Sequence, residues 1–115
     1  MKSITTLNTH YLLLVEDNPD DEKLIMRALK HADLADRVIV MRDGVEALEY
    51  LRSAPELPRL ILLDIKLPRV DGLEVLRTIR AEARTRTLPV VMLTSSNEQA
   101  DILASYQLGA NSYVC

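Results

Sequence analysis

Leu60-Ile61-Leu62-Leu63-Asp64 is a run of four aliphatic residues that ends in a carboxylate, with Pro68 and the pair Asp71-Gly72 close behind. Earlier in the chain, Leu12-Leu13-Leu14-Val15 ends the same way, in Glu16-Asp17. Short apolar runs without polar alternation read as strands buried on both faces of a parallel sheet. Open α/β sheets form their ligand crevice outside the carboxyl ends of their strands. Two strands that each end in acid therefore bring Glu16, Asp17 and Asp64 toward one point. Carboxylates about 4 Å apart repel by about 4 kcal/mol at an effective dielectric of about 20, so three together require a cation. Donor sets made only of oxygen suit Mg²⁺ or Mn²⁺ rather than zinc.

Outward from these two runs the chain alternates. Tyr11 to Val15 is a strand, and Asn18-Pro19-Asp20-Asp21 supplies a cap, a Pro at the first helical position and acids in the first turn. The helix that follows carries Leu24, Ile25, Ala28, Leu29 and Ala32 at helical spacing, which predicts an inner face. Arg37 to Met41 is a second strand, and Asp43-Gly44 turns into a helix with Val45, Leu48 and Leu51 on one side. Pro55 and Pro58 interrupt before the Leu60 run. A third helix starts near Gly72 and buries Leu73, Leu76 and Ile79. Val90 to Leu93 is a fourth strand, Thr94 to Asn97 a polar loop, and Glu98 begins a helix with Ile102, Leu103 and Tyr106 inward. Gly109 is placed to end that helix, and Ser112 opens a fifth strand. The alternation implies right-handed crossovers and a doubly wound parallel sheet in a single domain.

Composition narrows the function. A chain of 115 residues is long enough to bury one core without metal or disulfide staples. The net charge of −3 disfavours a broad nucleic-acid footprint. One cysteine, Cys115, permits no internal disulfide and fits a reducing compartment. No stretch has the length of a membrane span or the core of a signal peptide, so a cytoplasmic protein without membrane or nucleic-acid partners is expected.

The chain resembles the receiver domain of two-component response regulators. The resemblance is carried by Val15-Glu16-Asp17-Asn18, Asp43-Gly44-Val45-Glu46-Ala47-Leu48, Leu63-Asp64-Ile65-Lys66-Leu67-Pro68 and Asp71-Gly72. Pro89-Val90-Val91-Met92-Leu93-Thr94-Ser95 and Leu108-Gly109-Ala110-Asn111-Ser112-Tyr113-Val114 complete it, so it covers nearly the whole chain in family order. Asn18-Pro19-Asp20-Asp21, the residues before Leu60 and Ser105 to Asn111 are more similar to single-domain regulators paired with phytochrome-type histidine kinases.

The resemblance implies a flavodoxin-like sheet in the order 2-1-3-4-5. It implies that Asp64 is the phosphoacceptor and attacks a phosphohistidine on a partner kinase. Asp17, Asp64 and the Lys66 backbone carbonyl would bind Mg²⁺, with Mn²⁺ as a substitute and Glu16 acting through water. Thr94 would donate its hydroxyl to the phosphoryl group beside the Ser95 N–H, and Tyr113 would swing with Thr94. The implied protein is a signalling domain, not an enzyme in the ordinary sense, although it catalyses its own phosphorylation and dephosphorylation. Its output would be protein contact, including homodimerisation. The family also places a Lys three residues after the aromatic that matches Tyr113, then a fifth helix; this sequence ends at Cys115, so a C-terminally incomplete receiver is expected.

Other readings predict different signs. A phosphatase of the haloacid-dehalogenase type needs a second acid two residues after its nucleophile, where this chain has Lys66. A phosphorylation-independent pseudo-receiver would have lost Asp64 or Asp17, and both are present. Bland roles also stand: helix caps for Thr94 and Ser95, core packing for Tyr113 and Cys115, and solvated surface for Lys66, His10 and His31.

Overall fold

The structure is a computed structural model that describes residues 11–93 and 99–114. Five parallel strands form one sheet in the order β2-β1-β3-β4-β5: β1 Leu12–Val15, β2 Val38–Met41, β3 Leu60–Asp64, β4 Val90–Leu93 and β5 Ser112–Val114. Four helices alternate with them: α1 Pro19–His31, α2 Gly44–Ser53, α3 Gly72–Ala81 and α4 Gln99–Gln107. The expected doubly wound order is therefore present, with β1 and β3 side by side at its centre. Register pairs Leu14 with Leu62 and Val15 with Leu63, so the two acid-bearing strand ends finish level with each other.

Each helix start has a chemical cause. Asn18 caps α1, its side chain accepting from the N–H groups of Asp20 (2.8 Å) and Asp21 (3.0 Å), with Pro19 in the first turn. Asp43 caps α2 by accepting from Glu46 N–H (2.8 Å), and Asp71 caps α3 by accepting from Glu74 N–H (3.1 Å). Helix α4 ends as expected at Gly109, whose φ is +100°. Gly109 N–H donates to Tyr106 O and Ala110 N–H to Ser105 O, the paired bonds of a Schellman ending.

One face of the sheet is closed. Leu13, Val15, Ile61, Leu63, Val90 and Met92 pack there against Ala47 and Leu51 of α2 and Val75, Leu76 and Ile79 of α3. The start of β5 is held by Arg80 at the end of α3. Its Nε and Nη2 donate to Gly109 O (2.9 and 2.7 Å), Nη1 to Arg86 O and Leu88 O, and Nη2 also to Asn111 Oδ1 (3.0 Å). Asn111 Oδ1 in turn accepts from Val90 N–H (2.8 Å), which joins the beginnings of β4 and β5.

Two predicted inner faces are corrected. Helix α1 buries no residue: Leu24 is 62 % exposed, Ala28 and Ala32 are exposed, and Ile25 and Leu29 are half-buried. On α4, Ile102 is half-buried as predicted, but Leu103 (59 %) and Tyr106 (50 %) are exposed; among the described side chains of the helix Ser105 is the buried one, its hydroxyl bonded to Asp101 O. On α3 the prediction omitted Val75, which is fully buried, while Leu73 is only half-buried.

Candidate functional site

The end of β1 delivers two acids with opposite exposure. Glu16 N–H donates to Met41 O (3.0 Å), extending the β1–β2 ladder by one residue, and its side chain is 2 % exposed. Its Oε2 accepts from Asn18 N–H (3.1 Å). Asn18 therefore caps α1 with its side chain and holds Glu16 with its backbone. Asp17 is exposed.

The third acid, Asp64, closes β3 and is half-buried. Gly72 is required behind it: a Cβ at that position would lie 2.0 Å from Asp64 O and 2.7 Å from Ile65 Cα. Gly72 N–H donates to Ile65 O (2.7 Å), so the loop leaving β3 returns tightly to its own start. Glu16, Asp17 and Asp64 each offer a carboxylate oxygen, and these oxygens lie within 4.8 Å of one another. A crevice of about 520 Å³ opens above them, with Asn18, Asp21 and Lys66 on its polar side. Leu24, Ile25, Leu93 and Val114 form its apolar side.

The crowding has an electrostatic signature. Burial, with the charges of Asp64 and Asp21, pushes the Glu16 carboxyl up to about 7, against the opposing hydrogen bond from the Asn18 backbone. Burial also raises Asp64 above the usual carboxylate range, while hydrogen bonds from the Lys66 backbone and from Glu16 act the other way. Both carboxyls are thus pushed toward the neutral form, and a hydrogen bond links Glu16 to Asp64. The same oxygens, with no nitrogen or sulfur among them, fit a hard divalent cation.

Glu16, Asp17 and Asp64 are therefore brought together as the strand ends predicted. The Lys66 backbone sits beside the Asp64 carboxylate and its side chain is exposed at the rim. Tyr113 lies in β5, its backbone in register with Met92. Thr94, Ser95, His10 and Cys115 lie outside the described residues. Sequence reasoning assigned Asn18 only its capping role; its position two residues after Glu16 was the available signal for the second one. It likewise treated Asp21 as a first-turn acid, although one α-helical turn places it over the same crevice.

Residues 12–115 match the response regulator receiver domain. This chain is a receiver domain of that family. The receiver is 45% identical over 107 residues to the probable methanogenesis regulatory protein FilR2 of Methanothrix harundinacea, covering 90% of this chain and 69% of that protein. Solved structures similar to it include two regulators. The bacteriophytochrome response regulator RtBRR is 49% identical, with a TM-score of 0.81 over 91% of this chain and 68% of that one. The Mn²⁺-bound form of response regulator Rcp1 is 39% identical, with a TM-score of 0.82 over 91% of this chain and 79% of that one. Rcp1 of Synechocystis sp. is 40% identical over 108 residues, 90% of this chain and 74% of that protein. The finer resemblance to phytochrome-paired regulators thus holds for this receiver. Among the described residues, no helix is long and apolar enough to cross a membrane.

Proposed function

We propose that this receiver domain accepts a phosphoryl group on Asp64 from a phosphohistidine of a sensor histidine kinase of the phytochrome-coupled kind. The observation that carries the reading is the set of three carboxylates within 4.8 Å at the level ends of β1 and β3, in a chain of the receiver family. An Asp64 carboxylate oxygen attacks phosphorus as the bond from phosphorus to the imidazole nitrogen breaks. The electron pair leaves on the imidazole, and an acyl phosphate remains. Glu16, Asp17, Asp64 and the Lys66 carbonyl are the groups that would hold Mg²⁺ or Mn²⁺, which when bound offsets charge on the transferring phosphoryl oxygens. Mn²⁺ in the related Rcp1 supports that assignment.

In this reading Asn18 keeps the Glu16 carboxylate aimed inward, where it would help to hold the cation. Thr94 and the Ser95 N–H receive the phosphoryl oxygens, and Tyr113 relays the change to the face formed by α4 and β5. Exposed Leu103 and Tyr106 give that face the apolar groups for protein contact, including pairing with a second copy. The protein acts in the cytoplasm, and it catalyses its own phosphorylation and dephosphorylation rather than turning over a separate substrate.

The test is intact mass after incubation with acetyl phosphate and Mg²⁺. It is run on this chain and on one continued past Cys115 with the family's lysine and fifth helix. A gain of about 80 Da is expected for one phosphoryl group, lost without Mg²⁺ and lost in Asp64→Asn. Phosphorylation of Asp64→Asn at the parent rate would remove Asp64 as the acceptor. Absence of any gain in both chains would favour the pseudo-receiver.

A further inference from the structure

Arg69 has φ of +69°, in the left-handed region that long side chains rarely adopt. Across it Val70 N–H donates to Pro68 O (2.8 Å), a three-residue turn of the uncommon, strained hand. Asp33, the one other non-glycine residue with positive φ among the described residues, follows the end of α1, where helices commonly take that conformation. Arg69 ends no helix. Strained residues persist where the surroundings hold them.

What reaches Arg69 is Asp43, whose Oδ2 lies 3.2 Å from Arg69 Nη1. Asp43 is itself anchored, because its Oδ1 caps α2. The loop between Asp64 and Gly72 is anchored in the core by Ile65, Leu67 and Val70, and carries two polar fastenings besides. Its base is closed by Gly72 N–H on Ile65 O, and its far end is tied by Arg69 to the start of α2. Lys66, whose carbonyl is the expected cation ligand, lies between β3 and this turn.

We propose that Arg69 is a positioning residue: its ion pair with Asp43 holds the 65–72 loop in the shape that presents the Lys66 carbonyl to the divalent cation. This rests on the cation-binding reading of the acidic site.

The experiment is a calorimetric Mg²⁺ titration of the parent, Arg69→Gly, Arg69→Ala, Arg69→Lys and Asp43→Asn, with the cation-free melting temperature of each. Glycine adopts positive φ freely, so Arg69→Gly is expected to melt at or above the parent temperature without cation. Asp43→Asn keeps a capping oxygen but loses the charge. The Mg²⁺ Kd should weaken about threefold in Arg69→Gly, Arg69→Ala and Asp43→Asn, and less in Arg69→Lys. Threefold corresponds to ~0.65 kcal/mol, within the range of an exposed ion pair. Equal Kd values for the parent and Arg69→Gly would overturn the proposal, and so would affinity losses that merely follow losses in cation-free melting temperature. A parent that takes up no Mg²⁺ would instead overturn the cation site itself, and this proposal with it.

Discussion

Helices α3 and α1 flank the same acidic site and are built in opposite ways. Helix α3 buries Gly72, Val75, Leu76 and Ile79, whereas α1, three residues longer, buries none. Their sides of the sheet differ accordingly. Leu13, Val15, Ile61, Leu63, Val90 and Met92 are closed off under α2 and α3. On the α1 side, among the described residues, exposure rises along the sheet toward β5. Leu14 is fully buried and Leu62 nearly so, Val91 and Leu93 are half-buried, and Val114 is 47 % exposed. The α3 side owes its structure to packing. The ends of α1 carry their own local chemistry: an Asn18 cap, Pro19, three acids in the first turn, and Lys30 and His31 in the last. The site therefore has one wall set by the core, through Gly72 against Asp64, and one wall set by a capping residue, through Asn18 against Glu16.

Truncation on each side measures this difference most directly. Leu76→Ala should cost roughly 2–5 kcal/mol in a denaturant titration, as a fully buried leucine does. Leu24→Ala should cost under about 0.5 kcal/mol, as for exposed positions. Similar costs for the two would mean that α1 is packed as firmly as α3.

The buried acid supplies a second contrast. Glu16 titrates near its ordinary 4.5 in the unfolded chain and near 7 when folded. Between those values the folded state keeps a proton that the unfolded state releases, so stability is full below about 4.5 and falls as pH rises toward 7. The cation-free protein should lose roughly 1–3 kcal/mol between pH 4.5 and pH 8, once the titrations of other groups are subtracted using Glu16→Gln. A pH–stability curve that Glu16→Gln leaves unchanged would assign the loss elsewhere.

Cation binding should act against that loss. Mg²⁺ at about ten times its Kd should add about 1.4 kcal/mol at pH 8, read as a rise in melting temperature. Asp17→Asn should remove most of the gain. An identical melting curve with and without Mg²⁺ would show that the wall carrying Glu16 and Asp17 does not close on a cation.

The smallest expected effect is at the rim. Lys66 is exposed beside Asp64, and under the proposed function a cationic side chain there would favour the more negative phosphorylated state. Lys66→Ala should leave Mg²⁺ affinity nearly intact, because the backbone ligand survives. It should shorten the lifetime of phospho-Asp64 a few-fold, an effect of roughly 1 kcal/mol or less. Equal decay rates would make Lys66 surface only.

Much of this was readable in the chain. Apolar runs that end in Asp64 and in Glu16-Asp17 determined the strands and their direction, because a parallel strand buried on both faces tolerates polar groups only at its ends. Asn18, Pro19, Asp43 and Gly109 marked helix ends, because capping is a contact between near neighbours in sequence. Tertiary structure alone decided the rest. The stripe containing Leu24 on α1, and Leu103 with Tyr106 on α4, looked like inner faces, yet burial depends on which element lies opposite. The proton affinity of Glu16 comes from depth and from Asp64, 48 positions away in sequence but level with it across the β1–β3 ladder. The hold of Arg80 on Gly109 and of Asp43 on Arg69 likewise joins residues distant in sequence. Composition registers such groups as surface charge, and only the folded backbone supplies their partners.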